Sequence, residues 1–189
     1  NMWTNYLRGV LKQLKLKGFK VEGFNCVFSS TIPVGSGLSS SAALECGFLF
    51  GLNELFNLNI KPVDIALMGQ SAEHWVGINC GIMDQFAIGM GKKDNAILLD
   101  CNTLNYQYAP VVLNGASIVI ANTNKRRGLA DSKYNERREQ CETALKELKK
   151  VLKINSLGEL TVEEFEKNKN VITDETNRRR KIQNEYNVF

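Results

Sequence analysis

The chain has 189 residues, 43% hydrophobic and 23% charged, a composition ordinary for a soluble globular protein and enough to bury a real core. Its net charge of +4 is modest and suits a small anionic ligand, but equally an enzyme whose charge carries no particular meaning. The densest basic run, Arg178–Lys181, lies in a polar helical stretch without interleaved aromatics, so it reads as a solvated helix face or a protein contact and nucleic-acid binding is not expected.

Five cysteines, odd in number and never in a CxxC pair, argue against a zinc site or disulfide framework and point to a reducing cytoplasm. No segment approaches the roughly 18 apolar residues of a membrane span, and the start has no export-signal architecture.

Trp3, Tyr6, Leu7, Val10, Leu11 and Leu14 recur at helical spacing, so the first element is an amphipathic helix stopped at Gly18. Phe19 to Phe28 alternates as one or two strands leading into Thr31-Ile32-Pro33. After a glycine-serine turn, the apolar run from Ala42 to Phe56 is too long for a strand and reads as a buried helix. Pro62 starts the next helix, carrying Ile65, Ala66, Met68, Ala72 and Trp75. Gly77–Gly81 punctuates, and a short helix runs from Met83 to Met90.

Strands are expected at Ala96–Asp100, Asn105–Tyr108 and Ser117–Ala121, the last central and fully buried. From Asp131 the chain becomes charged and helical, with Tyr134, Arg138, Cys141, Leu145, Leu148 and Leu152 on one stripe. Thr161 is placed to cap a second helix, with Glu163 and Glu164 complementing its dipole, and a third starts near Thr173-Asp174. A domain boundary falls between Thr123 and Asp131, giving units of 1–124 and 125–189.

Chemistry concentrates in two places. In Pro33-Val34-Gly35-Ser36-Gly37-Leu38-Ser39-Ser40-Ser41-Ala42, two glycines permit unusual backbone geometry and three serines open an apolar helix. Unpaired N–H groups and partial positive charge at a helix start suit phosphate, and a serine can also serve a hard metal ion. A cap by Ser39 after a tight turn fits equally well. No GK[ST] follows, and Ser40 stands where a dinucleotide fingerprint needs its third glycine. In Asn79-Cys80-Gly81-Ile82-Met83-Asp84-Gln85-Phe86, Asp84 stands among apolar residues and should have a partner, or else cap the following helix.

The first run resembles the phosphate loop of the GHMP kinases, and the match is complete. The second resembles the N-C-G-I-M-D-Q-F segment of the galactokinase branch, and Thr123–Arg138 resembles a third galactokinase stretch, with Thr123 in place of the usual serine. The resemblance runs almost end to end. It implies an α+β fold, the GHMP N-terminal lobe with mixed sheet and helices, followed by the helical start of a C-terminal lobe.

It also implies ATP-dependent phosphorylation of galactose, with Gly35, Ser36, Gly37, Leu38, Ser39, Ser40 and Ser41 on the phosphates. Ser41 and Glu73 would hold Mg²⁺, which takes one or two protein oxygens and the rest from phosphate and water. Asp84 would be the general base, and Gly81, Asp84 and Tyr134 would meet the sugar. Without the resemblance Glu73 reads as a surface glutamate, Tyr134 as a core aromatic and His74, the one histidine, as structural. The expected partners are galactose and ATP, with neither nucleic acid nor membrane, in a cytoplasmic monomer.

Two family motifs are missing: an arginine with an E-H-x-D sugar clamp upstream, and a glycine-rich run downstream. An internal piece, inactive alone, is therefore expected. A galacturonate or N-acetylgalactosamine kinase and a non-catalytic galactose and ATP sensor stay open as alternatives.

Overall fold

The computed structural model describes residues 3–122 and 134–179. The chain divides into two compact units, Asn1–Cys101 with Asn105–Ser132, and Asn102–Leu104 with Lys133–Phe189. The boundary expected between Thr123 and Asp131 lies outside the described residues.

In the first unit, helices α1 (Thr4–Leu16), α2 (Ser40–Leu55), α3 (Pro62–Trp75) and α4 (Met83–Met90) precede an antiparallel pair, β1 (Asn95–Leu99) and β2 (Tyr106–Pro110). Helix α3 packs against the other three. Its start is set by Pro62, whose fixed φ and missing N–H cost nothing in a first turn. Helix α1 presses especially close: a Cβ at Gly9 would lie 2.9 Å from the Ala72 carbonyl oxygen. The core joins Val10 and Leu14 of α1, Leu49 and Leu52 of α2, and Ile65 and Met68 of α3. Burying such side chains contributes about 1.5–3 kcal/mol each.

The hairpin is tied to α4, because Tyr106 meets Phe86 edge-on at 5.3 Å and the Tyr108 hydroxyl donates to the Met90 carbonyl at 2.7 Å.

Two strand expectations are corrected. Phe19–Phe28 forms no ladder: Phe24 leans on Phe48 and Phe56, while Val27 is 96% exposed. Ser117–Ala121 is neither strand nor buried, with Ile118 at 72% and Val119 at 86% exposure. A strand exists only with a hydrogen-bonded neighbour, and among the described residues none runs beside either segment.

In the second unit, α5 (Tyr134–Leu148) and α6 (Val162–Asn168) close on Ala144, Leu148, Phe165 and Ile172. The buried stripe of α5 centres on Ala144 and Leu148, while Arg138 is exposed and pairs with Glu142. Thr161 caps α6 as expected: its hydroxyl accepts from the Glu164 amide at 3.2 Å, and the Glu164 carboxylate accepts from the Thr161 amide at 3.0 Å. Asp174 accepts from the Asn177 amide at 2.8 Å, at the start of the helix over 175–179.

Candidate active site

The turn into α2 is built from left-handed residues. Gly35 and Gly37 have φ of 74° and 81°, where only glycine is comfortable. A Cβ at either would touch nothing within 4 Å, so conformation and not space calls for glycine. Ser39 also lies in the left-handed region, at φ 54°, which costs roughly 1–2 kcal/mol for a residue with a side chain. Its hydroxyl makes no capping bond, so the capping interpretation is set aside.

The first amide to bond back along the helix is that of Ala43, to the Ser39 carbonyl at 2.9 Å. The amides of Ser40, Ser41 and Ala42 precede it. No acidic residue stands in this first turn, so the helix dipole is left uncompensated. Ser36 and Leu38 complete the turn, the Ser36 hydroxyl donating to the Pro33 carbonyl at 2.7 Å. A cleft of about 1070 Å³ runs beside α2 and reaches Gly35, Ser40 and Ser41 at the helix head. That size is ample for a nucleotide-sized ligand.

Immediately behind the helix head lies a buried polar cluster. The Ser41 hydroxyl donates to Glu73 Oε1 at 2.9 Å. The Gln85 amide donates to Glu73 Oε2 at 2.6 Å and to Glu45 Oε2 at 3.4 Å. The Cys80 thiol also reaches Glu73 Oε2, at 3.5 Å. Glu45 and Gln85 are wholly buried and Glu73 nearly so, which removes the surface reading of Glu73.

Burial, then the Glu73 charge, pushes the Glu45 carboxyl up to about 9 against the opposing Gln85 hydrogen bond, so Glu45 keeps its proton at neutral pH. Burial and the two glutamates likewise push Tyr6, Cys46 and Cys80 up to about 12, leaving these thiols unreactive. All five cysteines are free. The His74 ring donates through Nε2 to the Cys80 carbonyl at 2.9 Å.

Asp84 sits half-buried in the first turn of α4, two residues after the capping position, which Ile82 holds; the capping alternative is corrected. Among the described residues it makes no hydrogen bond or ion pair, so the partner expected for it is not found there. Gly81 is exposed just before α4. Gln85, adjoining Asp84, connects through Glu73 to Ser41, so α4 and the head of α2 share one hydrogen-bonded network. Tyr134 opens α5 in the second unit, and its side chain lies outside the described part of the structure, as do residues 123–133.

The sequence singled out neither Glu45 nor Gln85. The available signal for Glu45 was a charge one turn beyond Ser41, on the same helix face.

Among the described residues no three His, Cys, Asp or Glu side chains gather as a metal cage. The Ser41 hydroxyl and Glu73 carboxylate, hard oxygen donors in contact, fit a Mg²⁺ ion that draws its other ligands from phosphate and water.

Residues 5–92 match the GHMP kinases N terminal domain. Over that stretch the chain is similar to the GHMP kinases, and over most of its length it is similar to galactokinases, whose α+β fold it shares. The galactokinase of Clostridium beijerinckii is 60% identical over 174 residues, 91% of this chain and 45% of the relative. That of Clostridium acetobutylicum is 59% identical over 180 residues, 94% of this chain and 46% of the relative. The crystal structure of Lactococcus lactis galactokinase complexed with galactose superposes with a TM-score of 0.89 at 46% identity, covering 95% of this chain and 47% of that one. The chain spans about half the length of the curated relatives it matches. No helix among the described residues is long and apolar enough to cross a membrane.

Proposed function

We propose that the full-length protein transfers the γ-phosphoryl group of ATP to the anomeric hydroxyl of galactose. The observation that carries this reading is the Ser41–Glu73 contact at the head of a sixteen-residue helix entered through left-handed Gly35, Gly37 and Ser39. Phosphoryl transfer asks a protein for little covalent chemistry and much positioning of charge, which such a helix head supplies.

The amides and hydroxyls of Gly35–Ser41 bind the phosphates. Ser41 and Glu73 hold Mg²⁺, which when bound neutralises charge on the transferred group. Asp84 orients the sugar hydroxyl and takes its proton as the oxygen bonds to phosphorus and the bond to ADP breaks. Gly81 contributes backbone, and Tyr134 a ring, to the sugar. Residues 1–124 form the nucleotide-binding lobe and 125–189 the start of a second. The protein works as a cytoplasmic monomer; its five free cysteines suit a reducing compartment.

The activity belongs to a protein of the relatives' length. The test is a coupled ADP-release assay on it with galactose, galacturonate and N-acetylgalactosamine. Galactose-dependent ADP release supports the proposal. Turnover confined to another sugar reassigns the substrate, and binding of galactose and ATP without ADP makes the protein a sensor.

A further inference from the structure

We infer that Gln85 is a positioning residue for the magnesium ligand: its side-chain amide sets the rotation of the Glu73 carboxylate so that one oxygen faces Ser41 and the phosphates. The inference rests on the reading of Ser41 and Glu73 given above and adds a residue to it.

A carboxylate on a glutamate turns in a broad, roughly two-fold torsional well, so without help its oxygens have no fixed aim. Here each oxygen has its own donor. Oε2 takes the Gln85 amide at 2.6 Å, which leaves Oε1 for the Ser41 hydroxyl at 2.9 Å. The second proton of the same amide goes to Glu45 Oε2 at 3.4 Å. Two carboxyl groups on one NH₂ fix its plane and keep the nitrogen, not the carbonyl oxygen, toward Glu73. The glutamine is thus held by α2 and acts on α3.

Packing alone gives no reason for an amide at this point. Gln85 is wholly buried, and its own carbonyl oxygen has no hydrogen-bond partner, as does one oxygen of Glu45. An apolar side chain of equal size would fill the space without burying an unpaired carbonyl oxygen; what it would take away is the amide donor to Glu73 and Glu45. The surroundings also make room for it specifically: a Cβ on Gly69 would lie 3.2 Å from Gln85 Cγ and 3.0 Å from Cys46 Sγ. Groups behind a ligand that set its orientation commonly change metal affinity by about 10–100-fold when removed.

The test replaces Gln85 in the full-length protein by Leu, with Glu73→Gln alongside. Mn²⁺ binding in the presence of a non-hydrolysable ATP analogue is followed by electron paramagnetic resonance, and ADP release is titrated with Mg²⁺. Gln85→Leu is expected to weaken Mn²⁺ binding and raise the half-saturating Mg²⁺ concentration about 10–100-fold, with the KM for galactose unchanged. Metal binding and Mg²⁺ dependence like those of the unmodified protein would overturn the inference while leaving the site intact. If Glu73→Gln itself leaves metal binding unchanged, the magnesium site is wrong and the inference falls with it. Should the leucine variant not fold, a crystal structure of the unmodified protein with Mg²⁺ and the analogue decides. The amide still on Glu73 Oε2 supports the proposal, and an amide turned away from Glu73 overturns it.

Discussion

Glu45→Gln should make the protein less sensitive to rising pH, and the size of the effect follows from the burial of one side chain. Glu45 is wholly buried, and its carboxyl is pushed from an ordinary 4.5 up to about 9. Between those two values the folded protein holds a proton that the unfolded chain releases. The contribution is therefore fully present below about pH 4.5 and is lost as the pH climbs toward 9.

The greatest slope is about 1.4 kcal/mol per pH unit, so from pH 6 to 8 this group alone removes up to about 3 kcal/mol. Glutamine has the same shape and no proton to lose, and its carbonyl can still accept from the Gln85 amide. Thermal melts of both full-length proteins from pH 5 to 8.5 give the difference directly. The variant should match the parent near pH 5 and melt several degrees higher at pH 8, at about 1–2 °C per kcal/mol for a protein of the relatives' length. A gap between the two curves that does not change with pH would refute the reasoning.

Asp84→Asn should lower kcat by roughly 10²-fold or more in a coupled ADP-release assay, the scale of a lost general base; retained turnover would remove that role. Ser39→Gly should raise unfolding stability by about 1 kcal/mol in urea, because glycine relieves the left-handed strain, while raising the KM for ATP through the lost hydroxyl. A loss of stability would contradict the strain. Gly69→Ala should destabilise the fold by about 1–3 kcal/mol, since the new methyl meets Cys46 and Gln85; an unchanged denaturation midpoint would show that both can move aside.

Sequence and structure agree best where local physics decides. Pro62 set the start of α3, Gly77 follows its end at φ 99°, and Thr161 with Glu164 makes the capping box of α6. None of these needs a distant partner. Ser117–Ala121 has the β-branched composition of a central strand, but a strand is defined by its neighbour, and composition cannot supply one.

The site was legible to the same degree. Gly35–Ser41 and Asp84 announce themselves through spacing and charge. The roles of Glu45 and Gln85 depend on α2, α3 and α4 meeting at one point, 40 residues apart in sequence. Gly69, which lets that meeting happen, looks in sequence like a weak spot in a helix.

The uncovered run through Ile118, Val119 and Ile120 bears on handling. Backbone amides and carbonyls that join no ladder among the described residues, beside water-exposed β-branched side chains, are a template for intermolecular pairing. Preparations of these 189 residues by themselves are thus prone to clump on concentration, and mild detergent or a charged substitution at Val119 is the natural remedy.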